Sequence, residues 1–143
     1  MVLENARRKA RSVLTAATGA VVLGADTEVV LDGRVLGQPA DEDGARASLD
    51  ALSGRTHDVL TGVVLASRDT ERSGVARSQV TFRELDDATL DLYLASGEWR
   101  GRAGAYAIQG LGSILIERLE GDFSNVVGLP VPLLLDLAPE FVS

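Results

Sequence analysis

The chain contains no cysteine. That excludes disulfides and thiolate metal sites, and it fits a reducing compartment such as the cytoplasm. A single histidine, His57, excludes any centre that needs two imidazoles. Lys9 is the one lysine among 14 basic residues, the others being arginine. No apolar run approaches the roughly 18 residues of a membrane-spanning helix. Polar residues interrupt the start, Met1-Val2-Leu3-Glu4-Asn5, at once, so it does not read as a signal peptide. The net charge of −7 argues against a general nucleic-acid binder, which would carry a broad basic surface. A small phosphorylated ligand stays open, because a few local cations or a divalent metal can hold a phosphate on an acidic protein. Neither a Walker A loop nor a dinucleotide fingerprint is present. There is also no repeat, linker or low-complexity tract, and 143 residues support one domain spanning 1–143 with a real core.

The pattern predicts an α/β fold. Apolar Ala6, Ala10, Val13, Leu14 and Ala17 recur at helical spacing over Val2 to Ala17, with Gly19 as the stop. Val21 to Leu31 reads as a strand, Asp32-Gly33 as a two-residue hairpin turn, and Arg34 to Gly37 as the return strand. Asp41 caps a helix to Leu52 that buries Ala45, Leu49 and Leu52. Thr56 to Ala66 and Val75 to Arg83 alternate as a strand pair around a polar turn, 68–74. Asp86 or Asp87 caps a third helix carrying Leu90, Leu92, Tyr93 and Leu94, ending at Gly97. A glycine-rich loop, Gly101 to Gly112, holds Gln109. Ile114 to Leu119 forms a strand, and a last helix starts near Pro130.

One residue breaks the local rules. Asp26 sits in mid-strand, where aspartate is disfavoured because it packs poorly and competes for backbone hydrogen bonds. Such a violation marks a candidate site. Alternation places Val22, Gly24, Asp26, Glu28 and Val30 on one face and Val21, Leu23, Ala25, Thr27, Val29 and Leu31 on the other. Gly24 leaves space beside Asp26 for something to approach the backbone. Asp26 is thus the candidate base or metal ligand, against the alternative of an edge carboxylate in solvent. Lys9, on a helix with Arg7, Arg8 and Arg11, could meet a phosphate or simply be a solvated face. His57 reads as a hydrogen-bonded residue at a strand start, and a Ser124–His57–Asp26 triad carries no weight in a chain of this length.

Several stretches, in order along the chain, resemble the Maf-like nucleoside triphosphate pyrophosphatases. They are Glu4-Asn5-Ala6-Arg7-Arg8-Lys9-Ala10, Gly24-Ala25-Asp26-Thr27, Leu36-Gly37-Gln38-Pro39-Ala40-Asp41 and Leu52-Ser53-Gly54-Arg55-Thr56-His57. Val80-Thr81-Phe82-Arg83, Ala103-Gly104-Ala105-Tyr106-Ala107-Ile108-Gln109-Gly110 and Gly121-Asp122-Phe123-Ser124-Asn125-Val126-Val127-Gly128-Leu129-Pro130 complete the set. The resemblance implies a mixed, twisted sheet with flanking helices, of the inosine-triphosphatase-like (Maf-like) fold. It implies hydrolysis of a nucleoside triphosphate to the monophosphate and pyrophosphate, with a divalent cation, Mg²⁺ or Mn²⁺, as cofactor. By that resemblance Asp26 is the general base or metal-linked carboxylate, and Lys9 pairs with the triphosphate. Thr27 and Gln109 sort bases in the manner of the dTTP/UTP branch, and Gln38 stands at a substrate-contact position where the family has lysine. Arg102 likewise replaces a common lysine. The family's Ser-x-Ser-Pro-Arg-Arg type loop and a further acidic residue would precede Met1, so the fold is expected to be N-terminally truncated. A nucleoside triphosphate is the expected partner, a homodimer is plausible, and neither nucleic acid nor a membrane is expected. The alternative is a weakened or inactive nucleotide-binding, regulatory relative.

Overall fold

The computed structural model describes residues 1–14, 21–67 and 69–139. The predicted stop at Gly19 and the stripe residue Ala17 lie outside them. The elements run α1 (Val2–Leu14), β1 (Val22–Leu31), β2 (Arg34–Leu36), α2 (Glu42–Leu52), β3 (Thr56–Ala66), β4 (Glu71–Phe82), α3 (Asp87–Ser96), β5 (Ile116–Glu120), α4 (Phe123–Val127) and α5 (Val131–Leu137). The glycine-rich loop contains two short 3-10 turns, Ala103–Ala105 and Gly110–Leu115. The five strands form one sheet in the order β2-β1-β3-β4-β5, with β2 antiparallel to β1 and β5 antiparallel to β4. This is the expected α/β architecture of a sheet with flanking helices. None of the described helices is long and apolar enough to cross a membrane.

The residues cluster into two compact units, and β1, β3 and β4 each contribute to both. The first unit comprises Met1–Thr27, Leu60–Arg77 and Asp122–Ser143. Its core is built on α1, whose Ala6 and Ala10 pack with Val22, Val64 and Ala66, flanked by Leu3. Alanines on that face let the helix lie close, while Val13, predicted to share the stripe, is exposed. Residues 61–66 of β3 are buried without a break, so both faces of this strand are covered. One cover is α1. On the other, Thr61 donates to the Asn125 carbonyl of α4 (3.2 Å).

The start of β4 departs from expectation. The polar run Glu71-Arg72-Ser73-Gly74 reads as turn, yet it is strand. Long-range contacts hold it there. Arg7 on α1 donates from Nε to both Glu71 oxygens (3.1 and 3.0 Å), and Arg72 donates to the Leu137 carbonyl (2.8 Å). Gly74 leaves room for Leu133, which would stand 2.8 Å from an added β-carbon. The short helix α4 has no sequence signature beyond the capping Asp122, which accepts from the Ser124 amide (2.9 Å).

The second unit comprises Glu28–Val59 and Ser78–Gly121. Burial on β1 switches parity at its end, from Val22 and Gly24 to Val29 and Leu31. The strand therefore buries opposite faces in its two halves, which simple alternation does not foresee. Asp32 and Gly33 both have positive φ (51° and 76°), as the hairpin turn requires. Asp41 caps α2 and Asp86 caps α3, each accepting a backbone amide from three residues on. Ala45, Leu49 and Leu52 are buried as predicted, as are Leu90, Tyr93 and Leu94, whereas Leu92 is exposed.

His57 fills the role of a buried strand-start residue. Its ring meets Phe82 and Tyr106 edge-on, and Nε2 lies 2.6 Å from the Tyr106 hydroxyl. Nδ1 is buried with no hydrogen-bond partner among the described residues. Burial lowers the His57 pKa from 6.5 to about 4, against a weaker opposing pull from Asp58. Between those values the unfolded chain binds a proton that the folded chain refuses, so stability rises with pH across this window. Its loss on acidification from about pH 6.5 to pH 4 is worth at most about 3 kcal/mol. In thermal melts, the stability gap between wild type and His57→Asn is expected to narrow as pH falls from 7 to 4. Parallel curves would contradict this assignment.

Candidate active site

The site is assembled by the way α1 meets the sheet. At Gly24 an added β-carbon would lie 2.1 Å from the Ala6 carbonyl oxygen and 2.8 Å from the Ala10 amide. At Gly62 on β3 it would lie 2.7 Å from the Val2 carbonyl group. Helix backbone therefore rests directly on strand backbone at two points. The space that the sequence suggests beside Asp26 is filled by the protein's own helix, so what approaches the backbone at Gly24 is α1.

This seating gives α1 two side chains in reach of Asp26. Asn5 and Lys9 are one helical turn apart, so they share a face. Asn5 Nδ2 donates to Asp26 Oδ2 (3.1 Å), and Lys9 Nζ donates to Oδ1 (2.9 Å) and to the Ala25 carbonyl (3.1 Å). The Asp26 side chain is sheltered, at 18% exposure, while that of Lys9 is open at 58%. An ammonium has three N–H groups, so Lys9 keeps one to offer outward. Each Asp26 oxygen keeps a further lone pair. A cation facing solvent beside an oriented carboxylate suits the binding of a phosphate and the holding of a water molecule. Asn5 is not marked out by the sequence reading above, and its four-residue spacing from Lys9 is the one local signal that it shares the site.

Two of the α1 arginines are committed elsewhere. Arg7 grips Glu71, and Arg11 Nη2 lies 3.5 Å from the same carboxylate. Arg55 pairs with Asp32. Ser124 Oγ bonds to both Asp122 oxygens (2.7 and 2.8 Å) and accepts from the Val131 amide (2.9 Å), so it builds the turn before α5.

Thr27 points away from Asp26, since adjacent strand residues face opposite sides. Its hydroxyl lies 2.8 Å from that of Thr61, whose own proton goes to the Asn125 carbonyl. A carbonyl can only accept, so Thr27 donates to Thr61 and retains acceptor capacity alone. Lys9, Asp26 and Thr27 thus belong to the first unit. Gln38 and Gln109 belong to the second, and both are exposed. Gln109 precedes the turn at Gly110–Leu115 in an extended conformation, and its side chain makes no capping bond.

Among the described residues, no group of three or more histidine or acidic side chains could hold a metal ion. One sheltered carboxylate is a poor resident site. It does fit a divalent cation delivered on a triphosphate, because Mg²⁺ accepts one or two carboxylates together with phosphate oxygens and water.

Comparisons with known proteins show the family. The family described as Maf-like protein matches residues 1–141. A dTTP/UTP pyrophosphatase of Deinococcus radiodurans is 49% identical over 137 residues, covering 96% of this chain and 70% of that protein. One of Pyrococcus horikoshii is 44% identical, covering 94% and 73%. One of Myxococcus xanthus is 52% identical, covering 88% and 64%, so this chain spans under two thirds of that relative.

The seating of α1 is directly testable. Gly24→Ala should lower stability by about 2–3 kcal/mol, the cost of overpacking a rigid contact. Gly37→Ala, with nothing within 4 Å of the added carbon, should change it by less than about 0.5 kcal/mol. Equal denaturation midpoints for the two variants would refute the contact.

Proposed function

Because the chain belongs to the Maf-like protein family, which matches residues 1–141, we propose that it hydrolyses dTTP and UTP to the monophosphate and pyrophosphate. The observation that carries the reading is the Asp26 carboxylate held by Asn5 and Lys9 on a helix seated at Gly24. The relatives' shared name, dTTP/UTP pyrophosphatase, supports the substrate. In this reading chain 1–143 works as one Maf-like domain in the cytoplasm, a reducing compartment that the lack of cysteine fits.

Hydrolysis of a phosphoanhydride demands alignment and charge neutralisation more than covalent help. Asp26 orients the attacking water and accepts its proton on a lone pair not used by Asn5 or Lys9. Lys9 presents its outward N–H to the triphosphate and neutralises charge that builds on the departing pyrophosphate. A divalent cation such as Mg²⁺ or Mn²⁺, bound through Asp26 and the phosphates, would supply further charge neutralisation. The Gln109 amide can both donate to and accept from a base edge. Thr27 can offer a base only acceptor lone pairs, and through Thr61 it pins the strand beside Asp26.

Gln38 favours a second reading. An amide where the family has lysine leaves one cation fewer for the phosphates, so the protein could bind dTTP without turning it over.

Three measurements separate these readings. The enzyme reading expects pyrophosphate release from dTTP and UTP that requires a divalent cation and falls by about 10²-fold or more in Asp26→Asn. Wild type and Asp26→Asn equally silent would defeat it. Gln38→Lys should raise the rate if the site works. A rise in melting temperature with dTTP, without release, would select the binding protein.

A further inference from the structure

Gln109 is presented by a loop that is clamped on both sides of it. Two residues before, the Ala107 amide donates to the Tyr93 hydroxyl (3.0 Å). Two residues after, the Leu111 amide donates to both oxygens of Glu98 (3.2 and 3.0 Å). Two glycines make the tight approach possible. At Gly110 (φ +63°) an added β-carbon would stand 2.5 Å from Glu98 Oε1, and at Gly112 it would stand 1.6 Å from the Ala107 carbonyl oxygen.

The clamping groups are themselves fixed. Tyr93 is fully buried on α3. Glu98 follows the left-handed cap Gly97 (φ 74°), and its own amide donates to Ser96 Oγ (3.2 Å). Next to it, Trp99 Nε1 donates to the Leu94 carbonyl (3.0 Å). Between the two anchors the Gln109 side chain is exposed and makes no hydrogen bond to any described residue. The loop is rigid where it is held, and it leaves one amide unengaged at its crest.

We propose that Glu98, with Tyr93, is a positioning residue for base selection, setting the distance at which Gln109 meets the nucleobase. The proposal rests on Gln109 reading the base, as in the function proposed above. Chemistry makes the position decisive. Thymine offers an adjacent donor and acceptor, N3–H and O4. Guanine offers the same pair, N1–H and O6, on a larger ring. An amide satisfies either edge, so it distinguishes them only by where it is held. Glu98 accepts the Leu111 amide with a carboxylate, a charge-assisted hydrogen bond stronger than one between neutral groups. Removing it frees the crest to retreat and accept the larger base.

The test is calorimetric binding of dTTP and dGTP with Ca²⁺ to the full chain, which requires no turnover. Wild type should prefer dTTP. Glu98→Ala should cut the preference about tenfold, the worth of one well-placed hydrogen bond. Glu98→Gln, which keeps an acceptor for the Leu111 amide, should retain it within about threefold. Gln109→Ala should abolish the preference, and adding Glu98→Ala to it should change nothing further. A merely structural role for Glu98 would lower the affinity for both nucleotides and leave their ratio intact in Glu98→Ala and Glu98→Gln. Wild-type selectivity in Glu98→Ala, additive losses in the double variant, or no dTTP preference in the wild type would each overturn the proposal. Selective binding by a wild type that releases no pyrophosphate would fail the enzyme reading while leaving this one standing.

Discussion

The contact between the backbone of α1 and the backbone of β1 at Gly24 is the constraint on which the site depends. A helix normally rides on a sheet at the distance set by two layers of side chains. Here one layer is absent at Gly24 and Gly62, and Ala6 and Ala10 keep the other thin. The helix axis is therefore drawn towards the strands. Only from that distance do a short asparagine and a lysine, one turn apart, both reach the carboxylate two residues along β1. The geometry is supplied by what the glycines lack, and the chemistry by what Asn5, Lys9 and Asp26 carry.

Placing a carboxylate in a strand would be costly if it were left unpaired. Asp26 avoids this by taking one partner on each oxygen, a neutral amide and an ammonium. Partial shelter strengthens those bonds, and the exposed end of Lys9 keeps the cluster in touch with solvent. The opposite face of the same strand is equally specified. Thr27, Thr61 and the Asn125 carbonyl form a one-way chain of hydrogen bonds that fixes the strand from behind. The result is a carboxylate whose direction is set from two sides, as a group that must orient a water requires.

Much of this was legible in the sequence wherever the signal was local. The Asp32-Gly33 turn, the cap at Asp41, a cap at Asp86 or Asp87 (the structure uses Asp86) and the strand Thr56–Ala66 all announce themselves through residues within a few positions. Asp26 also stood out, because it contradicts its own strand. What stayed hidden was set by distant partners. Glu71 to Gly74 are strand because Arg7, Leu133 and the Leu137 carbonyl meet them, and no window of a few residues contains those groups. The parity switch on β1 reflects which half of the strand α1 covers. Gly24 marks a gap in the sequence, and only the fold shows that a helix fills it. Asn5 is illegible in the sequence because an asparagine on a charged helix signals nothing until a carboxylate is placed opposite.

If the carboxylate and the ammonium act as one unit on the triphosphate, removing either should disable what the other does. The direct measurement is a double-mutant cycle on metal-dependent pyrophosphate release, comparing Lys9→Met, Asp26→Asn and the combined variant with wild type. The account predicts large losses in each single variant and a double variant no slower than the slower of the two. Losses that multiply, or a single variant that keeps the wild-type rate, would contradict it.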